Sequence, residues 1–135
     1  MVDDDDYIGE FMAKPDYYTQ IMPYIIVDGA DGFIPFIKAV FSATERLIVP
    51  HTDGTIMHAE FSIGEGTIMF TQATEKYSAF PCGMFIVVDD VDETYACGLA
   101  NGAESMQEPG DMEYGRAAGF KDKWGNVWWL NNPGS

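Results

Sequence analysis

The stretch TIMHAEFSIGEGTIMFT, from Thr55 to Thr71, decides how this chain folds. Its first half alternates: Met57, Ala59, Phe61 and Ile63 fall on one face, and Ile56, His58, Glu60 and Ser62 on the other. A period of two marks a half-buried strand. Gly64-Glu65-Gly66 supplies the permissive backbone of a tight turn, and Thr67 to Thr71 reads as the returning strand. One face of this hairpin is plainly apolar. The other sets an imidazole and a carboxylate on the same side, so they meet either solvent or a cavity built by the rest of the chain.

Upstream, Ile21 to Val27 (IMPYIIV) is a β-branched strand with Pro23 near its start, as at a sheet margin. Phe33, Phe36, Ile37, Val40 and Phe41 then recur at helical spacing. Asp28 or Asp31 is available as the cap, and Pro35 is tolerable only near the first turn. Glu45 to Pro50 is a short strand, joined to the hairpin by His51-Thr52-Asp53-Gly54. After a linker over Lys76 to Pro81, the order repeats. Cys82 to Val88 is a strand, and Val91 to Asn101 a helix opened by Asp90 with Glu93 and closed by Gly102. Glu104 to Glu108 is a short strand; Tyr114 to Lys121 and Asn126 to Leu130 flank the turn Asp122-Lys123-Trp124-Gly125.

Val27-Asp28 and Val88-Asp89 lie 61 residues apart, and near the hairpins the offset falls to about 59, which sets Phe70 against Trp129. This internal duplication predicts an α+β fold of two βαβββ modules, 21–74 and 82–131, within one domain over 21–135. Each sheet would carry its helix on one face, and the other faces would form a shared cleft. Counting by alternation places Met22, Tyr24 and Ile26 on that inner face, with His58, Glu60 and Ser62 and with Ile68 and Phe70. From the second half come Phe85 and Val87, Tyr114 and Arg116, and Val127, Trp129 and Asn131. Trp124 and Trp128 fall in the turn or on the opposite face, as core residues.

Composition narrows the partners. Residues 1–11 (MVDDDDYIGEF) hold five acids and no base, so of a net charge of −15 the rest of the chain carries −10. That first stretch reads as a protease-site tag, with Met12 as the start and 12–20 as an arm lying on the surface. The acidic balance disfavours nucleic acid and anionic membrane and welcomes a cationic small molecule. No apolar run reaches the roughly 18 residues that would span a bilayer. Cys82 and Cys97 show neither a disulfide framework nor metal-ligand spacing, so reduced thiols and a cytoplasmic location are expected.

Four segments in this order, PYIIVDGADGFIPFIKAVF, MHAEFSIGEGTIMF, FIVVDDVDETYACGLANGAE and GFKDKWGNVWWL, resemble the glyoxalase/bleomycin-resistance/extradiol-dioxygenase superfamily, also called vicinal oxygen chelate proteins. The resemblance runs from about Ile21 to Leu130. It implies a divalent metal held by one ligand from each of four strands, at positions that correspond here to Met22, Glu60, Gly83 and Trp129. Of these only Glu60 suits a hard cation. His58 and Gln20 are the substitutes within reach. The segments are most similar to the branch with a Pro-Tyr first strand, a Met-His-Ala-Glu strand and an Asp-x-x-Gly-His-x-Trp ending, and the last motif departs from it, with Asn126 where that branch usually has His. No metal or other cofactor is therefore expected, and with it goes the chemistry such enzymes draw from the ion.

Members without a metal tend to be binding proteins, some of which sequester basic antibiotics. The resemblance thus implies a binder of a small organic molecule, cationic or aromatic; a homodimer is expected because an edge strand or the open rim of such sheets needs covering. The ligand-binding residues read from the chain are Tyr24, His58, Glu60, Phe70, Phe85, Tyr114, Arg116 and Trp129. Rings at such positions hold a cation over their faces, whereas Arg116 argues against a purely cationic ligand unless Glu60 pairs with it. Two other readings stand beside this one. One is a metal-dependent lyase or dioxygenase-like enzyme with a rearranged ligand set; the other is a regulatory or interaction domain without a small ligand.

Overall fold

The computed structural model describes residues 13–134. The tag expected over 1–11 and the start at Met12 lie outside the described residues. The first module comprises β1 (Tyr24–Val27), α1 (Ala30–Phe41), β2 (Thr44–Pro50), β3 (Ile56–Ile63) and β4 (Gly66–Gln72). The second repeats the order with β5 (Gly83–Val87), α2 (Val91–Ala100), β6 (Glu104–Met112), β7 (Gly115–Lys121) and β8 (Val127–Asn132). Each module forms a four-stranded mixed sheet, β1-β4-β3-β2 and β5-β8-β7-β6. The first strand of each runs parallel to the last, and the remaining pairs are antiparallel. The two βαβββ modules read from the duplication are the observed architecture.

One apolar core joins the modules. Phe33, Phe36, Ile37, Val40 and Phe41 of α1 are buried, which is the stripe that the helical spacing describes. Phe41 lies 4.4 Å from the Trp128 ring, and Phe36 lies 6.2 Å from Phe120, both centroid to centroid. Trp124, in the β7–β8 turn of the second module, packs edge-on against Phe33 at 5.2 Å and Phe36 at 5.5 Å in the first. Aromatic pairs in such geometry add to the burial of their area, so the halves share a core that neither would complete alone.

The helix starts differ. Asp90 caps α2 as expected, accepting the Glu93 N–H at 3.0 Å. At α1 neither Asp28 nor Asp31 is the cap. Gly29 takes a left-handed conformation with φ 97°, and the side chain of Gln72, at the end of β4, accepts the Gly29 and Ala30 N–H groups at 3.0 and 2.8 Å. Asp28 instead accepts the Gln72 amide at 3.1 Å and so orients it. The orphan donors of the helix are satisfied by a neighbouring strand.

The β7–β8 turn is built on a buried carboxylate. Asp122 accepts the backbone N–H groups of Trp124 and Asn126, both at 2.9 Å, the indole N–H of Trp128 at 2.8 Å and the Asn126 amide at 3.0 Å. The Asn126 carbonyl oxygen in turn accepts the Cys82 N–H at 2.9 Å. Asn126 therefore ties the turn to the start of β5, which accounts for an amide at this position. Burial pushes the Asp122 carboxyl above its ordinary range, and the N–H donors pull the other way.

Candidate functional site

Strand register decides which side chains share the open faces, those turned away from the helices. The β3–β4 turn is two residues long, since Ile63 pairs with Gly66, Phe61 with Ile68 and Ala59 with Phe70. Phe70 and Ile68 therefore lie on the helix side. Phe70 is 0 % exposed and packs edge-on to Phe33 at 5.0 Å. It is a core residue, and its place on the open face belongs to Met69, which pairs with Glu60 on one side and Tyr24 on the other. Since Trp129 pairs with Phe85 as Met69 pairs with Tyr24, the module equivalent of Trp129 is Met69 and not Phe70.

Arg116 is corrected in the same way. Gly119 pairs with Trp129, so Ala117 and Gly119 share its face while Arg116, Ala118 and Phe120 turn to the helix side. The Arg116 fork reaches Asp92 in the first turn of α2, at 3.0 Å from Nε and 2.8 Å from a terminal nitrogen, and Asp111 at 3.2 Å. These bonds hold the Asp92 carboxyl below its ordinary range. Tyr114 escapes the parity count because it lies in the turn before Gly115, whose φ is 115°. Its side chain stays on the open face although that of Arg116 does not.

The remaining six residues form two groups. On the first sheet, His58 Nε2 lies 2.7 Å from Glu60 Oε2 and its Nδ1 lies 3.2 Å from the Tyr24 hydroxyl, with the Tyr24 and His58 rings stacked. With neutral imidazole, Nε2–H donates to Glu60 and Nδ1 accepts from Tyr24. Glu60 is only 2 % exposed. What covers it is the arm, for Tyr17 donates to Oε1 and Tyr18 to Oε2, both at 2.6 Å. Thr67 donates its hydroxyl to the Tyr17 carbonyl, and the Arg46 guanidinium stands 5.1 Å over the Tyr17 ring. The arm shows no hydrophobic period, so the sequence placed it on the surface; a pair of adjacent tyrosines opposite an inward carboxylate is the signal that was there to read.

Burial raises the Glu60 carboxyl, but the hydrogen bonds from His58, Tyr17 and Tyr18 outweigh it and leave the group below its ordinary value. Both phenols are pushed up to about 12, Tyr17 mainly by burial and Tyr18 mainly by its bond to Glu60. A folded-state value below the unfolded one means that Glu60 stabilises the fold above the ordinary carboxylate range. That contribution is lost as pH falls through the lowered value. Glu60→Gln puts an amide NH2 among three donors and is expected to cost about 1.5–3 kcal/mol at neutral pH. The gap between the two melting curves should be full above the ordinary carboxylate range and narrow as pH falls through and below that range. Asp122, shifted upward, works with the opposite sign but is common to both proteins. A gap that stays constant over this range would refute the assignment.

On the second sheet, Phe85, Tyr114, Trp129 and Gln107 line a pocket of about 180 Å³ floored by Ala117. Phe85 is 63 % exposed and Trp129 38 %. A wider groove of about 1030 Å³ runs between the modules, bordered by the end of α1, the β3–β4 turn and the start of α2. None of the eight predicted residues lines it, and it offers no exposed aromatic platform.

The donor set does not fit a divalent metal. Among the described residues no cluster of three or more His, Cys, Asp or Glu is placed to hold one. Both Glu60 oxygens already accept hydrogen bonds, and Met22, Gly83 and Trp129 bring no hard donor. A strong chelator is therefore expected to leave the melting temperature unchanged. A drop of several degrees would reveal a structural ion.

A sequence model of the Glyoxalase/Bleomycin resistance protein/Dioxygenase superfamily matches residues 15–130. The uncharacterized protein Rv0887c of Mycobacterium tuberculosis is 27 % identical over 125 residues, 84 % of this chain and 74 % of that protein. The crystal structure of TioX from Micromonospora sp. ML1 aligns with a TM-score of 0.71 at 24 % identity, covering 85 % of this chain and 98 % of that one. Protein PA1353 from Pseudomonas aeruginosa aligns with a TM-score of 0.72 at 22 % identity over 85 % and 98 % of the two chains. These two likenesses are of fold.

Proposed function

The chain belongs to the glyoxalase/bleomycin resistance protein/dioxygenase superfamily, and from that premise we propose that it binds a small aromatic or cationic organic molecule without using a metal. The observation that carries this reading is the exposed ring set Phe85, Tyr114 and Trp129 around a concavity of about 180 Å³. A planar ring stacks on the Trp129 indole, and a cation above it gains about 0.5–2 kcal/mol per contact. The Gln107 amide and the Tyr114 hydroxyl offer orienting hydrogen bonds. The net charge of −10 that remains without residues 1–11 concentrates cations near the surface. A basic antibiotic is one compound class that such a site would retain.

Glu60 is not the cation anchor in this reading, because three donors already occupy it. The same engagement weighs against a metal-dependent lyase or dioxygenase. Leu47 and Met106, exposed on the edge strands β2 and β6, also favour a dimer in which a second copy covers such an edge. Sedimentation of the purified protein tests that point.

The test of the binding reading is a fluorescence titration of chelator-treated protein with N-methylquinolinium and with quinoline, its neutral counterpart. Saturable quenching by both, tighter for the cation, is the expected result. The absence of any saturable response up to millimolar concentration would remove the reading.

A further inference from the structure

Glu60 stands on the open face of β3, away from α1, and is nonetheless almost fully buried. The groups that bury it come from an arm without helix or strand, residues 13–20. We propose that the face around Glu60 and His58 is a second binding site, specific for phenolic hydroxyls, which Tyr17 and Tyr18 fill from within the chain as a displaceable plug.

The chemistry of the face argues for this ligand class. A carboxylate that takes two phenol O–H groups at 2.6 Å, one on each oxygen, is using short charge-assisted bonds. The imidazole of His58 takes a third position on the same carboxylate and is itself held by a phenol, that of Tyr24. Arg46 faces the Tyr17 ring and donates to the Ser62 hydroxyl at 3.0 Å, which fixes a cationic wall for an electron-rich ring. A phenol is the neutral group that meets all of these: one strong donor on a flat, polarisable ring. An ammonium would pair with Glu60 but meet Arg46 as a like charge, and a carboxylate would pair with Arg46 but meet Glu60 as one, whereas a neutral phenol meets neither penalty.

The arm is a suitable plug. Besides the two phenols, it is held by the Thr67 hydroxyl on the Tyr17 carbonyl and by a local turn from the Tyr18 N–H to the Pro15 carbonyl at 3.1 Å. A short tether presents its phenols at an effective concentration on the order of millimolar. A free phenol must compete with that, so its observed affinity is the intrinsic one reduced by the fraction of molecules with the arm displaced. Removing the two rings should reveal the intrinsic affinity.

This site rests on the reading that the chain binds small molecules, but it lies on the first sheet and not at Trp129. Its probe is 4-methylphenol, the tyrosine side chain as a free molecule, added to the full chain and to the Tyr17→Ala/Tyr18→Ala variant. Binding is read from the NMR shifts of the His58 ring protons, which do not report on Trp129. The expected result is saturable binding that is about tenfold tighter or more in the variant. 4-Methylanisole, with the same ring and no O–H, is expected not to bind, and adding Glu60→Gln should remove the gain. The anisole comparison stands even where the Glu60 variant fails to fold. Equal affinity in wild type and variant, no saturable response at His58, or equal binding of the anisole would each overturn the proposal. Quinolinium binding at Trp129 would survive any of these results, so failure here is distinguishable from failure of the broader reading.

Discussion

Trp128→Ala is expected to lower stability by about 3–5 kcal/mol, in the range for deleting a large aromatic ring from a core. The ring is 1 % exposed, lies 4.4 Å from Phe41 of the other module and donates its indole N–H to Asp122. The substitution would thus open a cavity at the junction of the modules and remove one of the donors that hold a buried carboxylate. Trp128→Phe should recover part of the loss, because it restores volume but not the N–H. Urea unfolding of the three proteins measures both contributions. A loss below about 1 kcal/mol for the alanine variant would mean that the two modules do not share one core at this junction.

Its neighbour should behave in the opposite way. Trp129→Ala is expected to change stability little and to weaken binding of N-methylquinolinium by about 1–3 kcal/mol, the cost of removing an interface anchor. The indole lies across Gly119 on β7, where a Cβ would come within 2.6 Å of the ring. That glycine lets the ring lie flat on the sheet and keep a face toward the pocket. Gly119→Ala should accordingly lift the ring and reduce binding while leaving Trp128 in place. The decisive comparison is between adjacent positions on one strand. If a folded Trp128→Ala protein loses binding while Trp129→Ala keeps it, the face assignment of β8 is inverted and the pocket reading fails.

The pattern of residues alone was enough for the modules, and the reason is local. Alternation from His58 to Ile63 and the helical stripe from Phe33 to Phe41 each record a face that must be buried, and such periods are written in consecutive residues. At the start of β3, beside the register shift between Val49 and Pro50, the expected faces are reversed, with Ile56 buried and Met57 exposed. The duplication then carried the second half, and it correctly put Tyr24, His58 and Glu60, and also Phe85 and Trp129, on open faces. Alternation within a strand is robust. Its phase relative to the next strand depends on the length of the turn between them. Taking Gly64-Glu65-Gly66 as the β3–β4 turn, when Gly66 already pairs with Ile63, reversed β4 and sent Phe70 to the wrong face. Taking Tyr114 as part of β7, when the strand starts at Gly115, did the same to Arg116.

Other features were decided only by tertiary structure, because the groups involved are far apart in the chain. Gln72 caps a helix that starts at Ala30 because β4 runs parallel beside β1 and ends at that helix start. Trp124 serves the first module although it is encoded in the last turn of the second. The clearest case is Glu60. Its spacing from His58 made a pair facing one way, and that much is a property of the strand. Whether the pair met solvent, a metal or a ligand depended on Tyr17 and Tyr18, more than forty residues earlier. A buried carboxylate must find donors, and only the folded chain shows that its own arm supplies them.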